Sequence, residues 1–277
     1  MSEKQIYEIF EKPELESSTL VVGWSEDAGR LGPGVVDYLN QKLGAKEFAE
    51  VELEDFFPLG GVSVQDDVAR FPEIKFHYCP QKRLVTLKSN SPRSEWYRFM
   101  ETVLDIAQNY CHASEIYTIG GMVYFGPHTT PRQLMTIVNS AEMRESMNQD
   151  DLIVDLDYET PPGQRPTLNS FLIWCAMRRG IAAASLWVPV PFYLVAGSDP
   201  RAWKKVLEFL DNRLSLEMDL RDVTEEAMRQ NEKIAHLRSE SPEVDGYIEK
   251  LETSIALTQE ESEQLVKEVD DFLKRGD

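Results

Sequence analysis

The regular alternation of short apolar runs with segments of helical periodicity, between residues 15 and 222, constrains the fold more than any other feature. Residues 19–22 form an apolar run that enters a glycine-rich stretch at residues 23–29. Val35, Leu39 and Leu43 then recur every four residues before Gly44. This order of strand, loop and helix predicts an α/β fold whose mostly parallel sheet carries helices on both faces.

Further along the chain, apolar residues alternate between residues 48 and 88 around a turn at residues 80–82, which predicts one antiparallel hairpin. Helical spacing marks residues 96–110, and again residues 168–176 before Gly180. We expect a strand at residues 116–119, ending at Gly120 and Gly121, whose missing side chains allow a tight turn or a close approach. A further strand is expected at residues 182–194. Residues 134–138 fit a helix start or a strand; we predict the strand, with a helix from Ser140. Asp199 caps a helix that runs to Leu216.

The last 55 or so residues contain only helical signals. Ser241 and Pro242 begin one predicted helix, and Thr258 with Glu261 forms a capping box that begins another. We therefore divide the chain into a charged, mobile lead (1–16), an α/β domain (17–222) and amphipathic C-terminal helices (223–277). Their narrow apolar stripes can pack on each other, on the main domain or on a second copy of the chain. The residues that we expect to contact a partner or another subunit are Ile248, Leu251, Ile255, Leu265, Val269 and Phe272.

The charge balance excludes several classes of function. Acidic residues number 48 against 29 basic ones, a net charge of −19, so the chain repels nucleic acid and anionic membranes. Three widely spaced cysteines without a CxxC pair indicate a reducing compartment and no disulfide framework. No secretory signal is visible and no apolar segment is long enough to cross a bilayer, so we expect a cytoplasmic protein.

No catalytic, cofactor or metal motif is apparent. The glycine-rich stretch lacks GxGxxG and GK[ST], and Glu26 and Asp27 place negative charge where a phosphate would bind, so we interpret them as stabilising a helix N-terminus. The four histidines are far apart, which argues against a metal site. Cys175 lies on an apolar helix face, and His128, in a loop after a central strand, is the best single candidate for acid–base chemistry.

Ligands of open parallel sheets bind beyond the carboxyl ends of the strands. We therefore expect a cleft there, whose chemistry the sequence leaves undetermined. Its candidate residues are Ser25, Glu26, Asp27, Gly29, Gly120, Gly121, Met122, His128 and Asn139.

Three segments carry a resemblance to a known family. They are residues 21–29 (VVGWSEDAG), residues 117–122 (YTIGGM), and residues 188–193 (VPVPFY) followed by Asp199-Pro200-Arg201-Ala202. With these the chain resembles the proteasome-assembly-chaperone family of archaea and bacteria over most of residues 18–235. The resemblance implies a Rossmann-like, nucleoside-phosphorylase-like domain that forms homo-oligomers, with a trimer as one candidate, and has no established catalytic residues.

One label sometimes given to the family does not suit this sequence, and the sequence departs from the family in two respects. Members are sometimes labelled ATP-grasp proteins, yet no nucleotide-binding lysine motif is evident here. Archaeal factors can dock on proteasomes through a C-terminal hydrophobic-tyrosine-any tripeptide, whereas this chain ends Arg275-Gly276-Asp277. Docking by that tripeptide is therefore not expected. Residues 162–168 replace a more glycine-rich loop, so no ligand is carried over through them.

Three hypotheses follow. The first is a non-enzymatic, assembly-chaperone-like module that binds other proteins and itself through its C-terminal helices and sheet edges. The second is a small-molecule enzyme, a hydrolase or a nucleoside-phosphorylase-like enzyme, that uses Asp27 or His128 in the strand-end cleft. The third is a purely structural homo-oligomer. The missing catalytic constellation favours the first.

Overall fold

The computed structural model describes residues 6–53, 56–57, 63–65, 67–147, 152–153 and 159–275, which fall into two compact units. The first unit comprises the described residues of Met1–Glu26, Gly32–Gly120 and Thr136–Leu186. The second comprises those of Asp27–Leu31, Gly121–Met135 and Trp187–Asp277. The boundary expected at residue 222 falls at the beginning of a helix within the second unit.

Strands and helices follow the predicted alternation closely. The strands are β1 (Tyr7–Ile9), β2 (Ser18–Trp24), β3 (Lys46–Val51), β4 (Ser63–Gln65), β5 (Val68–Arg70), β6 (Ile74–Cys79), β7 (Leu84–Ser89), β8 (Ala113–Tyr124), β9 (Met135–Val138) and β10 (Ala182–Pro191). The helices are α1 (Leu31–Lys42), α2 (Trp96–Cys111), α3 (Ala141–Ser146), α4 (Leu168–Arg178), α5 (Pro200–Leu214), α6 (Arg221–Glu240), α7 (Pro242–Glu252) and α8 (Gln259–Lys274). The chain therefore has the α/β fold that its sequence predicts.

Eight strands form one mixed sheet in the order β1-β3-β6-β7-β2-β8-β10-β9. The central strand β2 pairs in parallel with β7 and β8, whereas β1, β3, β6 and β7 pair with one another antiparallel. The predicted turn at residues 80–82 joins β6 and β7 as expected. Strands β4 and β5 form a separate antiparallel pair.

The alternation of side chains along β2 places helices on both faces of the sheet. Val22 and Trp24 belong to a core cluster with residues of α2 and α4, and the Trp24 ring lies 6.2 Å from that of Phe99. On the opposite face Gly23 approaches α1 so closely that an added Cβ would lie 2.3 Å from the carbonyl oxygen of Gly32. Both faces of the strand are therefore buried, which accounts for its continuous apolar run.

The N-terminal lead and β8 differ from expectation. In the described part of the lead, Tyr7–Ile9 forms the edge strand β1 paired with β3, and the Tyr7 ring lies 6.0 Å from that of Tyr110. Charged neighbours concealed this short apolar pattern. Strand β8 does not end at its glycines but continues through them to Tyr124. Gly121 lets the backbone of Ala28 approach β8 closely, since a Cβ on Gly121 would lie 2.3 Å from the Ala28 carbonyl oxygen.

The second unit is built largely from the C-terminal helices. Helix α6, which the sequence did not delimit, packs against α5, α7 and α8, and α8 also packs on the turn Phe192–Leu194 that follows β10. Ser241 caps α7, and Thr258 forms the predicted capping box with Glu261 at α8. Among the described residues, no helix combines the length and apolar character needed to cross a membrane.

Candidate functional site

Hydrogen bonds to backbone amides hold the glycine-rich turn after β2. One carboxylate oxygen of Asp27 accepts the amide N–H of Ala28 at 3.0 Å and that of Gly121 at 2.8 Å. Gly29, with a φ of 63°, donates its N–H to the carbonyl of Val195 at 3.0 Å. The Asp27 carboxylate therefore fixes the turn to β8 and caps its first residue.

Glu26 and Asn139, two other residues expected in the cleft, form hydrogen bonds elsewhere in the fold. Glu26 does not lie at the predicted helix N-terminus; it accepts hydrogen bonds from Asn90 and from the Ser91 amide in the first unit. Asn139 binds the carbonyls of Ile173 and Ile181 and the amide of Ala183, so its amide group is engaged at the sheet edge.

Ser25, Gly120 and Met122, also expected in the cleft, differ in their contacts and in their exposure. The Ser25 amide donates to the Ser89 carbonyl, Gly120 is buried within β8, and the Met122 side chain is 44% exposed. Within the described residues, Asp27 and Gly121 are thus the expected pair that the fold brings into direct contact.

His128 belongs to a buried polar cluster in the second unit. Its backbone N–H donates to the hydroxyl of Tyr193 at 2.6 Å, and its Nδ1 lies 2.9 Å from the same oxygen. A hydroxyl that accepts the amide proton can donate its own proton to Nδ1, an arrangement that suits a neutral ring with its proton on Nε2.

The electrostatics of this cluster oppose acid–base work near neutral pH. Burial, reinforced by the nearby guanidinium groups of Arg201, Arg238 and Arg132, lowers the pKa of His128 to about 4, although Glu252 acts in the opposite direction. Burial also raises the pKa of Tyr193. A general base works best with a pKa close to the operating pH, so the arrangement suits a neutral, structural histidine.

Arginines complete the cluster. The buried Arg132 guanidinium donates from Nε to the Asp199 carboxylate at 2.9 Å, and the other carboxylate oxygen accepts the amides of Arg201 and Ala202 at the start of α5. Arg201 also donates to the carbonyl of His128 at 2.8 Å. These contacts order the loop after β8, and sequence periodicity could not reveal them because they join distant segments.

A second, more exposed feature lies in the first unit, on the outer side of α2 and α4. Four aromatic rings linked by ring contacts, with an exposed methionine one turn further along α4, make up what we call the aromatic surface. Its members are Trp96, Tyr97, Phe171, Trp174 and Met177. Phe171 stacks on Trp174 at 5.4 Å between ring centroids, and the side chains of Tyr97, Trp174 and Met177 are 49%, 39% and 49% exposed.

Two arginines border the aromatic surface. The guanidinium of Arg165 lies 5.7 Å from the ring centre of Trp96, and that of Arg178 lies 5.1 Å from Trp174. Beneath it, Arg179 at the end of α4 binds Glu101 and Asp105 of α2, which holds the two helices together. The patch is therefore a rigid platform. The sequence contained a signal for it: Tyr97, Trp174 and Met177 are large apolar residues off the core faces of their helices.

The six expected partner contacts of the C-terminal helices are placed differently. Ile248, Leu251, Leu265 and Val269 are buried within the second unit, because α6, α7 and α8 pack their apolar stripes on one another. Phe272 is half-buried, with its ring 5.9 Å from that of His236, and Ile255 is 54% exposed. A partner could reach Ile255 without disrupting the unit, but not the four buried residues.

Within the part of the chain that the structure describes, no group of three or more histidine, cysteine or acidic side chains is arranged to hold a metal ion. The three cysteines are buried free thiols.

Comparison with known proteins gives a consistent picture. The sequence profile of the PAC2 family matches residues 20–238. A search of curated protein sequences finds no relative. A crystal structure of a protein of unknown function from Corynebacterium glutamicum superposes with a TM-score of 0.74 at 19% identity, over 90% of this chain and 96% of that one.

Two further structures show the same fold. The archaeal proteasome activator PbaB of Pyrococcus furiosus is similar with a TM-score of 0.67 at 20% identity, over 84% of this chain and 98% of that one. A proteasome-assembly chaperone homologue of Mycobacterium tuberculosis gives a TM-score of 0.67 at 20% identity, over 83% of this chain and 99% of that one.

Proposed function

Because the chain belongs to the PAC2 family, we propose that it is a non-enzymatic, assembly-chaperone-like module that binds other proteins, self-associates and acts in the cytoplasm. Two structurally similar proteins are a proteasome activator and a proteasome-assembly chaperone homologue, which supports a role of this class. Its partner need not be a proteasome.

The observation that carries the proposal is the aromatic surface. Tryptophan, tyrosine and arginine dominate the energetics of protein–protein interfaces. The two aromatic residues bury large areas and lose little side-chain entropy on binding. Here they are presented by two helices whose inner faces, including Phe99, Val103 and Leu172, are completely buried. A rigid patch of this composition requires little ordering on association, so more of the contact energy appears as affinity.

The surroundings of Asp27 and His128 also support a binding role over an enzymatic one. Asp27 accepts two backbone amides, and His128 is neutral and buried against Tyr193. Neither side chain is poised as an activated nucleophile or base.

A double substitution tests the proposal. Tyr97→Ala with Trp174→Ala removes the exposed rings and leaves the buried faces of α2 and α4 intact. Met228→Ala, which removes a methionine 57% exposed on α6, is the matched control. We expect the wild-type and control proteins to elute as the same oligomer or to retain the same stoichiometric partner, measured by light scattering and affinity capture.

The double variant should lose that assembly while its circular dichroism and melting temperature stay close to those of the wild type. If the folded double variant assembled as the wild type does, the aromatic surface would no longer support the proposed binding role. Deleting residues 223–277 is a poorer test, since those residues form much of the core of the second unit.

A further inference from the structure

A groove in the second unit has a charge opposite to that of the chain as a whole. It has a volume of about 610 Å³ and lies beside α6, α8 and the segment between β10 and α5. Four basic side chains line it, Arg30, Arg229, Lys233 and Lys274, against two acidic ones, Glu226 and Asp270. We call it the basic groove. In a chain of net charge −19, such a local excess of positive charge attracts anions.

The turn after β2 places Arg30 in this groove. Gly29 and Arg30 adopt positive φ angles of 63° and 48°. The Gly29 carbonyl accepts hydrogen bonds from the Asp199 amide and from the Trp203 indole, both at 3.2 Å. A non-glycine residue in the left-handed region costs about 1–2 kcal/mol. The surrounding hydrogen bonds hold Arg30 in the left-handed conformation, and the Arg30 side chain lines the groove.

Two of the basic side chains have free hydrogen-bonding capacity. Lys274 binds Asp270 at 2.6 Å. By contrast, no carboxylate of the described chain pairs with the guanidinium of Arg30 or of Arg229. A guanidinium presents five N–H donors in a planar fork that matches the oxygens of a phosphate group. The groove thus offers two guanidinium groups that no described carboxylate pairs with, and the ammonium groups of Lys233 and Lys274, which already have partners, add to its positive charge.

We propose that the basic groove binds a small molecule carrying two or more phosphate groups. Its volume falls within the roughly 300–1,000 Å³ typical of small-molecule sites. Several cations around one groove match a chain of phosphates, whose charge is concentrated in a short length, better than they match a single carboxylate. The groove shares no residue with the aromatic surface, so this inference goes beyond protein binding.

The test uses the full chain and inorganic tripolyphosphate as probe, with the ionic strength held constant by sodium chloride. We expect a saturable rise in the melting temperature of at least about 3 °C, because a ligand of the native state stabilises it by mass action. Titration calorimetry then gives the dissociation constant. Citrate and a hexaglutamate peptide serve as carboxylate probes of lower and higher charge than tripolyphosphate.

Two variants assign the site. Arg30→Gly removes the guanidinium and suits the positive φ, so the fold is retained. Arg229→Ala removes the second unpaired guanidinium of the groove. Each should weaken tripolyphosphate binding about tenfold or more, whereas Asp270→Asn should strengthen it. Arg93→Ala removes an exposed arginine of the first unit and is the matched control, for which binding should not change.

Three results would overturn the proposal: no thermal shift with tripolyphosphate, equal loss of binding in Arg93→Ala and Arg30→Gly, or equal affinity for citrate or hexaglutamate. The last would mark the groove as a general electrostatic surface or as a site for acidic peptide.

Discussion

The Nε of Arg132 donates to one carboxylate oxygen of Asp199 at 2.9 Å, with both side chains buried. The second oxygen of Asp199 accepts the amides at the start of α5, and Arg132 also donates to the carbonyl of Thr130. One ion pair thus fixes the loop before β9 to the first turn of α5. This is why the loop that contains His128 is ordered although it carries no regular secondary structure.

Removing the carboxylate should destabilise the protein strongly. Asp199→Ala leaves the Arg132 guanidinium buried without its counter-ion, which typically costs about 3–5 kcal/mol, and it also removes the N-cap of α5. Urea unfolding followed by tryptophan fluorescence measures the loss. Asp37→Ala, which breaks the more exposed pair with Lys88, should change the free energy of unfolding little. Equal effects of the two substitutions would contradict the assigned role.

His128 should make stability depend on pH in acid. Its pKa is lowered from 6.5 to about 4 in the native protein. As the pH falls below 6.5, His128 therefore becomes protonated in the unfolded chain while it stays neutral in the native protein. The contribution of neutral His128 to the free energy of unfolding is fully present above pH 6.5. It is lost as the pH falls from 6.5 to about 4, by an amount on the order of 3 kcal/mol.

The contribution of His128 is isolated by His128→Gln, which keeps a hydrogen-bond acceptor for Tyr193 and does not titrate. Denaturant midpoints measured between pH 7 and pH 4.5 should fall less steeply for this variant than for the wild type. Parallel curves would show that other groups cause the acid sensitivity.

Gly121 should tolerate no side chain. A Cβ at this position would meet the Ala28 carbonyl oxygen at 2.3 Å, and backbone atoms cannot withdraw without displacing the turn. Gly121→Ala should therefore lower the free energy of unfolding by about 1–3 kcal/mol.

Two other glycines are matched controls for Gly121. Gly197 and Gly246 have open space where a Cβ would lie. Gly197→Ala should be nearly neutral, and Gly246→Ala, in the interior of α7, should stabilise by roughly 0.5–1 kcal/mol. A destabilisation of Gly121→Ala no larger than that of Gly197→Ala would argue against the close approach.

Local signals were sufficient to predict most of the elements. Asp199, Ser241 and Thr258 cap the helices at which they were expected, since a cap depends on hydrogen bonds within one turn. The sequence did not predict β1, because a three-residue edge strand is defined by its partner and not by its own pattern. The sequence placed Gly121 at the end of a strand and allowed a tight turn or a close approach there. The strand in fact continues, and the close approach is to a segment 93 residues earlier in the sequence.

The candidate site was less predictable than the fold. The two residues judged most reactive, Asp27 and His128, are engaged by the backbone amide of Gly121 and the hydroxyl of Tyr193. Such contacts join segments that are distant in sequence. The aromatic surface could have been noticed, because Trp174 and Met177 lie beside the buried positions Ile173 and Ala176 of the same helix. Helical periodicity identifies the core face, but a second apolar face indicates binding.

The three cysteines should be inert in the native protein. Burial raises the pKa of Cys111 to about 12, and burial together with Glu101 raises that of Cys175 to about 11. Cys79 is also buried and donates to the carbonyl of Leu43 at 3.3 Å. Because the thiolate is the reactive form, an aromatic disulfide reagent at pH 8 should modify no thiol until denaturant is added, and three thereafter. Ile255→Cys, at a position that is 54% exposed, should react at once. Reaction of a native thiol at the rate of that control would show that the interior opens readily.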